Sequence, residues 1–333
     1  MIRNFTLVVA TIAAIFLVGS GIFLLLQTPP PAEPESIVIG MPALEQSALI
    51  YVAMDRGLFE KNGLSVAIRD DYPTGVGPVQ DMADGKLDLS VSAEYPVIVR
   101  ILSGKNISII ATVDKYQNEA LISRKDLGVR NISGLKGRKI GLPRGTILEF
   151  FLGRLLEREG MSIGDVVLVD LNASEAAEAL VNGKVDAVMY FQPHTSVILG
   201  RVGENAISWP GQSDQLLYGV LTARNDWIRE NPATIERFLL SLEEARLYSL
   251  NHPEEVRSIV KKHLNVTDEY LATVWPDHQF TLSLEQSLLL AMNDEARWMA
   301  ANNLSPSSTH PDFRNSISTE GLVKVKPQGV NIR

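Results

Sequence analysis

The sequence predicts an α/β protein of two similar lobes with a membrane-spanning helix ahead of them. Three observations carry that expectation. From Ser36 onward, short apolar runs alternate with runs of helical spacing. The layout of Met82 to Pro96 recurs at Leu180 to His194. Ahead of the body, Phe5 to Leu26 is a stretch of 22 residues without a charge.

The N-terminal stretch is long enough to cross a bilayer, which takes about 20 apolar residues as a helix. It exceeds the apolar region of an ordinary signal peptide, and Gln27-Thr28-Pro29-Pro30-Pro31 after it is a poor cleavage site. An uncleaved anchor at residues 5–26 is therefore favoured over a cleaved signal. Arg3 points to an N-terminus inside and a body outside. Thr28 to Glu35 holds four prolines in eight residues, so 27–36 reads as a stiff spacer.

In the body, Ile37-Val38-Ile39-Gly40 is the first strand, and Gln46 to Arg56 is a helix stopped by Gly57. Leu64 to Ile68 is a strand, Val79 to Ala83 a short helix, Leu87 to Val91 a strand and Pro96 to Leu102 a helix. Ile107 to Val113 and Ala120 to Ser123 are strands. The scheme then repeats. Lys139 to Leu142 is a strand and Ile147 to Glu159 a helix; Val166 to Val169 is a strand and Glu175 to Val181 a helix opened by an Asn172/Glu175 capping box. Ala187 to Tyr190 and Leu216 to Thr222 are strands. The last third is helical: Asn231-Pro232 starts one helix running to Leu250, Pro253 to Leu264 forms another, and a Ser283/Gln286 capping box opens one ending at Ala301. Such alternation argues for α/β layers with mainly parallel strands. Gly85-Lys86-Leu87-Asp88 and Gly183-Lys184-Val185-Asp186 each follow a helix end and precede an apolar strand closed by a polar-aromatic turn and Pro. Two lobes that each offer strand ends to a shared cleft account for the echo.

Composition narrows the function. The 333 residues, 45% of them hydrophobic, suffice for about two domains. A net charge of -8 without a basic stripe speaks against a nucleic-acid partner, although a local field in a cleft can still hold a small anion. The chain has no cysteine, hence no disulfide, thiolate metal site or cysteine nucleophile. There is no G-x-S-x-G in the body, no H-E-x-x-H and no P-loop. The five histidines lack metal-ligand spacing and read mostly as surface residues, and neither cofactor nor metal is expected. Five Asn-x-Ser/Thr triplets in the body suit an extracytoplasmic protein but carry little weight.

"YVAMDRGLFEKNGLSV" (Tyr51 to Val66) resembles the A-x-x-x-G-L-F-x-x-x-G-L-x-V stretch of solute-binding proteins of ABC importers, in the group serving nitrate, taurine, alkanesulfonates and thiamine-precursor pyrimidines. "DMADGKLDLSVSAEYP", "LKGRKIGLPRGTILEFFL" and "ALVNGKVDAVMYFQP" follow in that group's order, over about residues 37–330. The resemblance implies a type II periplasmic-binding fold with crossings near Glu119–Arg124 and Leu216–Arg224. Lobe 1 would comprise 37–124 and 217–333, and lobe 2 would comprise 125–216. It implies a receptor that shuts over a small anionic or zwitterionic nitrogen or sulfur compound and docks on permease subunits. A sulfonate or taurine-like ligand stands ahead of nitrate, with a thiamine-precursor pyrimidine as the alternative. A pyrimidine-synthase-like enzyme on the same fold is the rival from another class. A signalling ectodomain is a third, against which stand the few residues before the anchor.

Candidate contacts follow strand ends and helix starts. Gly145-Thr146 opens a helix whose free N–H groups suit an anion, and the resemblance puts a ligand contact there. Thr146-x-x-Glu149 is also a capping box, so Glu149 is either cap or contact. Arg144 reads as outward and solvated. Gln46 is a ligand donor or plain loop polarity. Glu94 is either a rim carboxylate in water or the partner of a ligand's cationic end; Asp114 has the same two readings. Tyr95 offers an aromatic wall and a hydroxyl. Tyr190 or Gln192 would line the cleft from the second lobe, and Trp209 is an aromatic wall or surface packing.

Overall fold

The first β-branched run forms β1 (Glu35–Pro42), and the chain continues through α1 (Ala48–Asp55), α2 (Leu58–Lys61), β2 (Leu64–Tyr72), α3 (Val76–Ala83), β3 (Leu89–Ala93), α4 (Glu94–Leu102) and β4 (Ile107–Tyr116). After Gln117 and Asn118 come β5 (Glu119–Arg124), β6 (Lys139–Leu142), α5 (Ile147–Arg158), β7 (Val167–Asp170), α6 (Ala173–Val181), β8 (Ala187–Phe191), α7 (His194–Val202) and β9 (Ala206–Pro210). The chain returns as β10 (Leu217–Arg224) and ends in α8 (Asn225–Glu230), α9 (Pro232–Asn251), α10 (Pro253–Leu264), α11 (Asp268–Val274), α12 (Gln286–Ala301) and α13 (Glu320–Val325). This is a computed structural model that describes residues 33–212, 215–305, 307 and 311–332. The expected anchor at 5–26 lies outside them, as does most of the linker; among the described residues no helix is long and apolar enough to cross a membrane. The unit considered below is Glu35–Arg333.

Two five-stranded sheets result, in the orders β2-β1-β3-β10-β4 and β7-β6-β8-β5-β9. In each, three strands pair in parallel, and the fourth is antiparallel to both its neighbours. The antiparallel strand arrives from the other lobe: β5 directly after β4, and β10 after β9. Glu119–Arg124, expected to close the first lobe, pairs with β8 and β9 and belongs to the second. The crossing is the two-residue step at Gln117–Asn118. In sequence that step is indistinguishable from a hairpin turn, because only the pairing partners differ.

The internal echo is structural. The Val38 amide donates to Asp88 Oδ2 at 2.8 Å, and the Lys139 amide to Asp186 Oδ2 at 2.9 Å. Each aspartate thus ties the loop before its strand to the central one of its sheet's three parallel strands, β1 or β6. Arg224 ends β10 and donates to the carbonyls of Met82 and Leu87; Arg124 ends β5 and donates to those of Leu180 and Val181. In both lobes an arginine satisfies carbonyls at a helix C-terminus, which a helix leaves without internal partners.

At the hinge, Gln212 fastens both crossings together. Its Oε1 accepts from the Asn118 amide at 2.8 Å, and its Nε2 donates to the Tyr116 carbonyl at 3.0 Å. The lobes also meet away from the hinge. Helix α5 of the second lobe packs against α4 and α12 of the first. Gly153 on α5 leaves room for Trp298 of α12; a Cβ there would stand 2.1 Å from the indole ring. One apolar core therefore runs through both lobes, with a smaller one behind β8.

Candidate functional site

Between the lobes lies a pocket enclosing about 520 Å³ of atom-free space, part of it open to solvent. It is reached by the carboxyl ends of the parallel strands, where open α/β sheets bind ligands. The first lobe contributes Glu45, Gln46, Thr74, Tyr116 and His278, the hinge Asn118 and Glu119, and the second lobe Thr146, Ile147, Leu148 and Phe191.

The start of α5 differs from the sequence expectation. No capping box forms at Thr146: its hydroxyl donates to the Pro143 carbonyl at 2.8 Å, and Glu149 does not answer the cap. Glu149 instead reaches back, accepting from the Gly145 amide at 3.2 Å and from Arg144 Nε. Arg144 is therefore folded onto Glu149 rather than free in solvent. The Gly145 amide is already occupied, and Gly145 is absent from the cavity wall. Among the described residues, the amides of Thr146, Ile147 and Leu148 have no acceptor, and all three residues face the cavity. The amides left without an acceptor thus begin one residue beyond the Gly145 expected from the sequence. Gly145 sits at φ +72° with nothing within 4 Å of an added Cβ. Gly145→Ala should therefore cost about 1–2 kcal/mol through left-handed strain alone and leave ligand affinity unchanged. Thermal denaturation and calorimetry check this, and a fall in affinity at constant fold would return Gly145 to the site.

The other capping boxes fail too. Asn172 makes no side-chain cap bond. Ser283 is held in a bridge to Thr112, so α12 begins after Glu285 with its Gln286 amide on Asn331. A sequence match to S/T-x-x-E/Q fixes spacing but not side-chain direction.

Gln46 reaches the cavity wall, 4% exposed, with its Oε1 accepting from the Tyr116 hydroxyl at 2.7 Å. Glu94 does not line the cavity. It is fully buried, and Oε2 accepts from the Tyr218 amide at 3.0 Å, so the rim reading in water is excluded. Glu295 of α12 is its neighbour, and burial raises both: Glu94 to about 7 and Glu295 well above the ordinary value, with Glu94's charge adding to the rise in Glu295. Two neighbouring carboxyl groups this dry cannot both be charged at low cost, so burial favours a protonated form in the pair. Tyr95, 1% exposed, turns towards the contact between lobes rather than the cavity; its pKa is raised by burial and by Glu149 and Glu295.

On β8 the expected face is reversed. Tyr190 is buried in the second lobe's smaller core and donates to the Leu171 carbonyl at 2.6 Å; Phe191, its neighbour, faces the cavity. Gln192 Oε1 accepts from the Ser196 hydroxyl at 2.8 Å and does not line the wall. Trp209, half-buried, lines a groove with Leu155 and Arg158 outside the cleft.

Asp114 is neither on the rim nor in the wall. It stands behind His278, accepting from the Gln279 amide at 3.1 Å and bonded to His278 Nδ1 at 2.5 Å. Burial pushes the imidazole down, but the Asp114 carboxylate outweighs it and the net direction is up. The reading of histidines as mostly surface residues fails. His278 is buried, and His263 is stacked on Tyr51 at 4.4 Å; His194 is half-buried. Glu45, Glu119, Tyr116, His278 and Phe191 are among the wall residues that sequence reading missed. Glu45 precedes a helical run, as Gln46 does, which is the one signal available. His278 lies 164 residues from Asp114 and gave none.

A family model described as NMT1/THI5 like matches residues 45–256. A protein of Brucella abortus, provisionally named a binding protein, is 27% identical over 230 residues, covering 68% of this chain and 70% of that one. A Bacillus subtilis protein provisionally named as binding aliphatic sulfonates is 27% identical over 215 residues, covering 63% and 64%. Among solved structures, the periplasmic aliphatic sulphonate binding protein SsuA from Escherichia coli superposes with a TM-score of 0.72 at 20% identity, over 85% of this chain and 97% of that one. That likeness establishes the two-lobed periplasmic-binding-protein fold, and the family match covers more than half of the sequence. The chain belongs to the NMT1/THI5-like family.

Proposed function

We propose that the protein is the extracytoplasmic solute receptor of an ABC importer, tethered by residues 5–26, and that it takes a small anionic or zwitterionic nitrogen or sulfur compound, sulfonate-like or taurine-like ahead of nitrate. One observation carries this reading: the residues that open α5 with unpartnered amides, Thr146 to Leu148, line a cavity closed on its other side by the first lobe. A helix N-terminus favours negative charge. A solute touching both walls favours the joined lobes by its differential affinity, and the joined form then docks on the permease. The sulfonate-binding names among relatives and fold neighbours support the solute class. A second reading, a thiamine-precursor aminopyrimidine, is favoured by the carboxylates Glu45 and Glu119 in the wall.

The test is a thermal-shift screen of the full-length chain against taurine, alkanesulfonates, nitrate, aminopyrimidines and riboflavin. A specific solute at 100 times its Kd adds about 2.7 kcal/mol and raises the melting point; no shift with any of them refutes the reading. Thr146→Ala should weaken a binding anion by about 1.5–3 kcal/mol if the hydroxyl turns to the ligand. Unchanged affinity on calorimetry leaves the amides alone as the seat.

A further inference from the structure

The wall given by the first lobe and the hinge carries carboxyl groups that an anion seat does not explain. Among the described lining residues there is no lysine or arginine, whereas Glu45 and Glu119 both face the cavity, 1% and 7% exposed. Glu45 Oε1 accepts from the Tyr270 hydroxyl at 2.6 Å, but Oε2 is buried without a partner. Glu119 has the Asn118 amide at 3.3 Å on one oxygen, and no basic side chain is hydrogen-bonded to it. His278 lines the same cavity with Nδ1 held by Asp114, and its Nε2 is buried without a partner. Since Nε2 and Glu45 Oε2 both lack partners, they do not satisfy each other. Native interiors rarely leave such groups unpaired, so Glu45 Oε2 is an acceptor waiting for a donor that the protein itself does not supply.

Resting on the receptor reading above, we propose that this wall is a subsite for a cationic or N–H-rich nitrogen group of the solute, either an ammonium or the amino end of a protonatable heterocycle, seated between Glu45 and Glu119. His278 borders the subsite, oriented by Asp114. The opposite end of the solute meets the amides of Thr146 to Leu148 and the ring of Phe191. Each wall then receives the charge it complements, and a compound with only one of the two ends leaves buried groups unpaired, which is how a polar site rejects an analogue.

Two matched pairs test this by calorimetry on the full-length chain: taurine against ethanesulfonate, and 4-aminopyrimidine against pyrimidine. In at least one pair, the member bearing the amino group should bind at least tenfold more tightly, and the pair that responds tells the ammonium source from the heterocyclic one. Glu45→Gln and Glu119→Gln keep the side chain's size, and each should cut that preference about fivefold or more, with melting points showing that the fold persists. Equal binding within both pairs overturns the subsite while the receptor reading stands. A preference that survives both substitutions overturns its assignment to these two residues. Failure of all four probes also overturns it, and the receptor reading falls as well only if nitrate, longer alkanesulfonates and riboflavin leave the melting point unmoved.

Discussion

Replacing Trp298 with alanine is expected to lower the stability of the folded body by about 3–5 kcal/mol, the usual cost of truncating a large buried aromatic. The indole is 4% exposed, meets Phe150 edge-on at 5.6 Å between centroids, and donates through Nε1 to Glu157 at 2.9 Å. Phe150 and Glu157 lie on α5, in the second lobe, while Trp298 lies on α12, packed on the first. Part of the loss therefore falls on the contact between lobes, and solute affinity should drop along with stability. Arg154 and Asp294, 3.7 Å apart and partly exposed, add little across the same contact. Urea unfolding and calorimetry on one preparation measure both effects. A stability loss below about 1 kcal/mol would mean that the indole does not fill the space above Gly153, contrary to the packing described.

The ligand-free protein should lose stability as pH rises from 5 to 8. Glu94 is raised by burial from 4.5 to about 7, and Glu119 to about 8, burial again being the first cause and the Glu94 charge a further one. A carboxyl whose folded pKa lies above its unfolded value binds more protons in the native state between the two values. Its contribution is fully present below about 4.5 and is lost as pH climbs through the folded value. The coupled Glu94 and Glu295, both raised, lose this contribution together as pH climbs. The His278 imidazole, also raised, acts in the same direction. The lowered surface carboxylates, such as Asp55 and Asp126, act only below their ordinary value of 3.8, whereas His194, lowered by burial, opposes the trend as pH rises towards its ordinary 6.5 and is outnumbered by the raised groups. Glu295→Gln removes one of the two buried acids at nearly the same size, so it should flatten the slope and leave the variant more stable than the parent at pH 8. Chemical denaturation at four pH values measures this; stability that is level or rising from pH 5 to 8 would remove the carboxyl pair as the cause.

These two expectations rest on Trp298 against Gly153 and Glu94 against Glu295, neither of which could be read from the chain. The residues in each pair lie far apart in sequence, and an exposed helix could carry the same letters. The candidate site was legible in the same partial way. Thr146 was found because a strand followed by Gly and a helix start is a local pattern, and Gln46 because it follows the first strand. Glu94 was chosen for standing after an apolar strand, but it turns away to the Tyr218 amide. Tyr190 was preferred to Phe191 although a strand sends adjacent side chains to opposite faces, and nothing in an apolar run says which face is the cleft.

By itself the sequence determined the order of strands and helices, the duplication of a lobe around Gly-Lys-x-Asp, and the kind of fold that holds a cavity between two sheets. These depend on periodicity, turn chemistry and helix stops, which act over a few residues. Tertiary structure alone decided that β5 joins the second sheet, that Glu149 occupies the Gly145 amide, and that Glu45, Glu119 and His278 face the cavity. Such outcomes depend on which distant groups share a dry volume, where an unpaired charge or amide must find a partner or wait for a ligand to supply one.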